Sequence, residues 1–420
     1  MKNSELLIKI NELLSYAETK IGSAVFETKQ DNVVCFSKHI KNVGVVAFRI
    51  SSKHDRLYRE CLLEIFNRGT LKDDYIFKTI KEKFDGFLIN AKVKGEEVSD
   101  KQCQRFIQRL LNAKKVTYKV FHKIYGLEIK SHEPIRVGCF SFYNFSMHKE
   151  CLLKDIYLEN ENVLTNINGE FLKYDTWVCA EITTVDNERA KEIAFIYFEA
   201  LQGVFQYILD LQHLNGCKVC ILRDVTFAHD ECYIFSEETA HESFHNDITR
   251  HRIIDLYAIK HFDNGYFDKL LNRLFVSEPN QISRRLINAF TSYSRIMYEH
   301  FDTQEFALYI TMIESLIGFD EANLADMLSG FLSALVSGNA QDYCATKDDF
   351  KRYTYDQRSE ISHGARTTIS KGDLAYAKGY AIELLKAYIA DAAISQFSTS
   401  KDLKSYLNAK VKAFESLKED

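Results

Sequence analysis

Proline is nearly missing from this chain: Pro134 and Pro279 are the only two in 420 residues. Proline breaks helices and central strands, so its scarcity favours long regular elements over loops. No apolar run approaches the roughly 20 residues of a membrane-spanning helix. The amphipathic start MKNSELLIKINELL is too polar for a secretory signal. A cytoplasmic protein without membrane contact is the expectation, its ten cysteines reduced and mostly buried. Charge of one sign is also short. The net charge is -5, so the chain lacks the global basic excess of a nucleic-acid coat. Contact with nucleic acid would need a local patch. No Walker loop, G-x-G-x-x-G or G-x-S-x-G occurs, which leaves phosphate-cradling loops and serine-hydrolase chemistry without support.

What the chain has in quantity is apolar and aromatic surface. Apolar residues make up 46%, with 30 Phe and 23 Tyr, enough to bury a sizeable core. A length of 420 residues predicts two or three domains. The first 240 residues mix helical and strand patterns. Ser4 to Tyr16 carries apolar residues at helical spacing. NVVCF and VGVVAFRI, within residues 23–51, read as strands. DRLYRECLLEIFNRG predicts a helix closed by Gly69. DGFLINAKVKGEEVS predicts a hairpin turning at Lys94-Gly95. SDKQCQRFIQRLLNAKK predicts a helix started by Ser99 or Asp100. VTYKVFHKIYGLEI and IRVGCFSFYNF read as strands. A strand from Trp177 to Val185 precedes a long helix from Asn187 to Leu211, and KVCILRDVTFA and CYIFS read as further strands.

After Glu242 the strand pattern stops. ITRHRIIDLYAIKHF and YFDKLLNRLF are helical, SEPNQ is a break at Pro279, and five helical segments and a charged terminal helix follow. The expected fold class is α+β. Residues 1–240 form a mixed α/β region, with room for two subdomains and suited to sensing or recruiting. Residues 241–278 form a helical connector, and 279–420 an all-α bundle.

Three clusters carry possible chemistry. Cys217, Cys220, His229 and Cys232 have the residue types of a tetrahedral zinc site, but the first two lie in a strand-like run whose alternate residues face opposite ways. Buried free cysteines are the competing reading, and a structural zinc is the only cofactor this chain suggests. His241 and His245 are one helical turn apart, with His251 beyond; polar helix surface describes them better than a hydrolytic metal site. Lys101 to Lys130 is the most basic stretch. It includes Arg105, Arg109, Lys114, Lys115, Lys119 and Lys123, with Tyr118, Phe121 and Tyr125 interleaved. Cations with aromatics suit a phosphate backbone and stacked bases. A solvated helix face followed by a strand with its aromatics in the core fits the same pattern. Arg284 and Arg285 open the C-terminal bundle and are placed to border an RNA groove.

The stretch DQRSEISHGAR, Asp356 to Arg366, is the most pointed. Thr346 and Asp348 are candidate N-caps of its helix and Gly364 its terminator. His363 then falls in the last turn, where imidazolium is favoured. Five residues separate Arg358 from His363, about 140° around a helix. The two converge if the helix end loosens or if a second copy supplies the partner group, which points to a dimer.

Arg358-Ser359-Glu360-Ile361-Ser362-His363, followed by glycine at the end of a bundle helix, resembles the R-x4-H signature of the HEPN superfamily, and its ApeA-like branch in particular. FALYITMIESLIGF (306–319) resembles that superfamily's helix with an acidic residue among apolar ones, here Glu314. The resemblance spans roughly residues 280–400. It implies a HEPN helical bundle and a metal-independent endoribonuclease, with two protomers joining their motifs in one cleft. His363 would move protons and Arg358 would hold the charged phosphate. Ser359 and Glu314 would support them, Glu314 by an ion pair to Arg358. It also implies antiphage defence by abortive infection, with transfer RNA as a target and a phage-derived trigger. A non-catalytic HEPN module that binds nucleotide or protein is the alternative.

Overall fold

In the computed structural model the described residues are 3–21, 34–40, 44–95, 97–156, 176–214, 217–221, 233–235, 240–241, 253–276, 279–299, 302–320, 323–362 and 367–417. They form a mixed α/β protein whose C-terminal region is helical. The chain divides into two units, Met1–Thr117 with Thr183–Glu192, and Tyr118–Ile182 with Ile193–Asp420. This division does not coincide with the sequence boundaries at 240 and 278. Among the described residues no helix is long and apolar enough to cross a membrane.

In the first unit, α1 (Asn3–Tyr16) buries Leu6, Ile10, Leu13 and Leu14, the stripe of a 3.6-residue period. β1 (Glu18–Ile21), β2 (Val34–Ile40) and β3 (Gly44–Ile50) form an antiparallel sheet in the order β1-β3-β2. Val46, Phe48 and Ile50 alternate into its core. α2 (Asp55–Phe66) ends shortly before Gly69, whose φ is +55°. After α3 (Leu71–Asp74) comes α4 (Phe77–Lys94). The hairpin expected at 85–99 is therefore wrong. Ile89, Ala91 and Val93 alternate as a strand would, but Ile80, Phe84 and Leu88 upstream bury a stripe at spacing four, and the helix continues through them. Gly95, expected in the hairpin turn, is the left-handed residue after the helix, at φ +68° with its N–H on the Lys92 carbonyl. α5 (Asp100–Leu111) starts at a reciprocal capping box between Ser99 and Gln102.

The larger sheet runs β10-β9-β4-β8-β7-β6. Its strands are β4 (Val116–Lys123), β6 (Ile135–Val137), β7 (Phe140–Asn144), β8 (Thr176–Thr184), β9 (Tyr233–Phe235) and β10 (Ala240–His241); β5 (Leu127–Glu128) lies outside it. β4 is buried continuously from Tyr118 to Lys123, as in a strand covered on both faces. α6 (Phe145–Ile156) follows β7, and α7 (Asn187–Leu211) follows β8. Strand structure does not stop at Glu242: β11 (Ile254–Asp255) pairs in parallel with β5. A two-residue strand is too short to show the period that sequence reading relies on.

The helical region holds α8 (Leu256–Lys260), α9 (Tyr266–Leu274), α10 (Gln281–Ile296), α11 (Asp302–Ile317), α12 (Leu324–Val336) and α13 (Ala340–Phe350). A π-helical turn (Lys351–Tyr355) follows, then α14 (Asp356–Ser362), α15 (Lys371–Ala390), α16 (Ala392–Gln396) and α17 (Ser400–Ser416). α12 is central: every residue from Met327 to Ala334 is buried. α11 packs against α10 and α15. At Gly203 of α7, a Cβ would lie 2.0 Å from the Phe290 carbonyl oxygen of α10, so only glycine permits that approach.

Candidate functional site

The motif helix begins earlier than its sequence suggests. Asn339 caps α13 by accepting from the Asp342 N–H, which puts Thr346 and Asp348 inside the helix and not at its start. Asn339 is a strong cap, and buried Tyr343 and Phe350 lie on the helix it opens. The chain then widens into the π turn, where the Asp356 N–H reaches back five residues to the Lys351 carbonyl. Single π turns inside helices are frequent at functional sites. Here the turn buries Thr354 and Tyr355 and leads directly into Arg358.

Arg358 meets Glu314 of α11. Its Nη2 lies 3.3 Å from Glu314 Oε1 and 3.4 Å from Oε2. The guanidinium carbon is 5.9 Å from the centroid of the Tyr355 ring. Carboxylate and ring together orient the fork, while 39% of the Arg358 side chain remains exposed. Burial pushes the Glu314 carboxyl above its ordinary range, and Arg358 opposes that shift. Thr354 Oγ1 and Gln357 Oε1 are buried near the motif with no hydrogen-bond partner among the described residues. Ser359 is exposed. His363 and Gly364 lie outside the described residues.

The other candidates separate. Arg284 is exposed. Arg285 instead holds the end of α11: its Nη1 donates to the Ser315, Leu316 and Gly318 carbonyls at 3.1, 3.4 and 2.9 Å, and its Nε donates to Ser400 Oγ. Its guanidinium also sits 4.5 Å from the Phe319 ring centroid. Those bonds commit Arg285 to satisfying helix-end carbonyls. The basic stretch breaks in two. Arg105, Arg109 and Lys114 are exposed, and Lys115 pairs with Asp74 at 2.8 Å. Lys119 and Lys123 are buried in β4, with Lys119 bonded to Asp155 at 2.9 Å. Arg136 and Tyr143 bond the same carboxylate, so Lys119 belongs to a structural network. Tyr118 and Phe121 are core residues.

Cys217 and Cys220 are buried, and Cys220 forms a backbone bridge with Tyr125. His229 and Cys232 lie outside the described residues, as do His245 and His251. His241 is in β10, so helical spacing to His245 does not describe it. Among the described residues no group of three or more His, Cys, Asp or Glu side chains is gathered as a metal site.

Two features escape sequence reading. The π turn leaves no trace in the spacing, because buried Phe350 and buried Thr354 keep the interval of four that an α-helix needs. The second is a groove of about 490 Å³ between α4 and α5, lined by Phe87, Asn90, Lys94, Arg105, Phe106 and Arg109 among others. Reading α4 as a hairpin conceals its first wall. Comparison with protein-family models, with curated proteins and with solved structures finds no match to this chain.

Proposed function

We propose that this protein is a metal-independent endoribonuclease that acts as a homodimer, its cleft formed by the motifs of two protomers. One observation carries the reading: Arg358, first residue of the R-x4-H motif, is oriented by Glu314 from the acidic helix the resemblance singles out, and still reaches solvent. RNA supplies its own nucleophile. The ribose 2′-oxygen bonds to phosphorus and gives its proton to one imidazole. The phosphorus–O5′ bond breaks, and the departing oxygen takes a proton from the partner motif's imidazolium. A 2′,3′-cyclic phosphate and a 5′-hydroxyl end remain. His363 suits both proton transfers because its unperturbed pKa lies near neutrality. Arg358 stays charged and forks onto the phosphorane oxygens as charge develops.

The ApeA-like resemblance extends the proposal to antiphage defence, with transfer RNA as a target and a phage-derived trigger. The test is cleavage of total cellular RNA by purified protein in EDTA. Wild type is expected to cut, and Arg358→Ala and His363→Ala to lose about 100-fold or more, the scale of a lost proton-transfer or charge-stabilising group. Equal cutting by all three would overturn the assignment. Loss of a nucleotide- or protein-binding property in place of cleavage would favour the non-catalytic module.

A further inference from the structure

We propose that the groove between α4 and α5 binds a mononucleotide, with its phosphates on Arg105 and Arg109 and its base against Phe106. This goes beyond the nuclease reading and does not depend on it. Arg105 and Arg109 are one turn apart on the exposed face of α5, and Lys94 faces the same groove from the end of α4. Neither arginine forms an ion pair or hydrogen bond among the described residues. Three cations face Glu97, the one carboxylate in the lining. Paired guanidinium groups bind phosphate through several N–H donors at once.

The floor of the groove is aromatic. Phe87 and Phe106 stack with centroids 4.5 Å apart and planes 19° apart. Both rings are half-buried, so part of each stays open. Asn90 adds an exposed amide at the rim. A ligand with a planar ring at one end and negative charge at the other matches this lining, and a nucleotide is that ligand. The volume, about 490 Å³, sits within the roughly 300–1,000 Å³ of small-molecule sites. A nucleic-acid strand would need successive platforms for successive bases. This groove offers one.

The groove is also held in shape by contacts that need no ligand. The linker between α4 and α5 is pinned to α1 by a reciprocal pair, Asn11 Nδ2 to the Val98 carbonyl at 2.9 Å and the Val98 N–H to Asn11 Oδ1 at 2.8 Å. Lys92 Nζ donates to the Leu14 carbonyl at 2.7 Å, tying the end of α4 to the same helix. The Ser99–Gln102 box sets the first turn of α5. A wall so restrained loses little entropy on binding.

Isothermal titration calorimetry of the full chain with ATP, GTP, CTP and UTP, each separately, tests the proposal. Tripolyphosphate and a single-stranded oligouridine are the comparisons. At least one nucleotide is expected to bind, about tenfold or more weaker with Arg105→Ala or Arg109→Ala. Phe106→Leu, which keeps apolar volume but removes the ring, should cost about fivefold or more. The arginines are exposed, so their variants keep the fold and carry the test alone if Phe106→Leu does not. Any of four results would overturn the proposal: no nucleotide binding, tripolyphosphate binding as tightly as every nucleotide, arginine variants indistinguishable from wild type, or binding of the oligouridine alone.

Discussion

His122 sits on β4 with its ring fully enclosed. Nδ1 is 3.0 Å from the Lys123 carbonyl oxygen, which can only accept, so Nδ1 carries the proton. Nε2 has no hydrogen-bond partner among the described residues, and the ring centroids of Phe195 and Phe198 lie 6.0 and 5.8 Å from that of His122. Charging the ring would place a cation in that apolar setting. Burial accordingly lowers its pKa from 6.5 to about 4. The folded pKa lies below the unfolded one, so the unfolded chain takes up the proton first. The fold's advantage is complete above the unfolded pKa and is lost as pH falls from 6.5 toward about 4. Urea unfolding between those limits should show His122 removing about 3 kcal/mol of stability across the window. His122→Phe should flatten that slope. An unchanged slope would mean the ring is protonated in the folded chain.

At the scale of elements, the π turn decides where Arg358 points. A π turn carries one residue more than the α turn it replaces, and each α-helical residue rotates the chain by about 100°. The turn absorbs that extra residue, so deleting exposed Arg352 should convert it to α-helix and leave Arg358 facing Glu314. Helix content by circular dichroism and RNA cleavage are both expected to be retained. Loss of cleavage by about 100-fold, as for direct loss of the arginine, would show that Arg358 has been turned out of the site. Ridges and caps elsewhere follow simpler rules. Gly95 ends α4 because a left-handed position suits glycine, and nothing within 4 Å constrains it otherwise.

For the whole molecule, the proposal requires two chains. Arg358 and His363 are about 140° apart on a regular helix, and in the proposed cleft a second copy brings the groups together. Light scattering should give twice the 48.7 kDa chain mass, with specific activity falling on dilution as dimers separate. Mixing wild-type with excess His363→Ala chains should lower cleavage below the share of wild-type chain present, since a mixed dimer keeps one imidazole of the two. A fully active monomer would sink the shared-cleft mechanism.

Periodicity and capping chemistry by themselves determine most of the elements. α1, α2, α5, β4, β7, β8, α7 and most of the helices after Pro279 are legible in the sequence because their signals are local: a stripe at 3.6, a run of β-formers, a serine at a helix start. The same locality makes α4 misleading, where a short alternation looks like a strand and the stripe upstream outweighs it. Of the candidate site, Arg358 and Glu314 are legible as residue types, but their pairing across 44 positions is not. Tertiary structure alone decides that Arg285 ends a helix, that Lys119 is buried beside Asp155, that Gly203 admits the Phe290 carbonyl, and that Arg105 and Arg109 share a groove with Phe87. Each depends on a neighbour distant in sequence. A charged or aromatic side chain takes its role from what packs against it, and no local pattern records that.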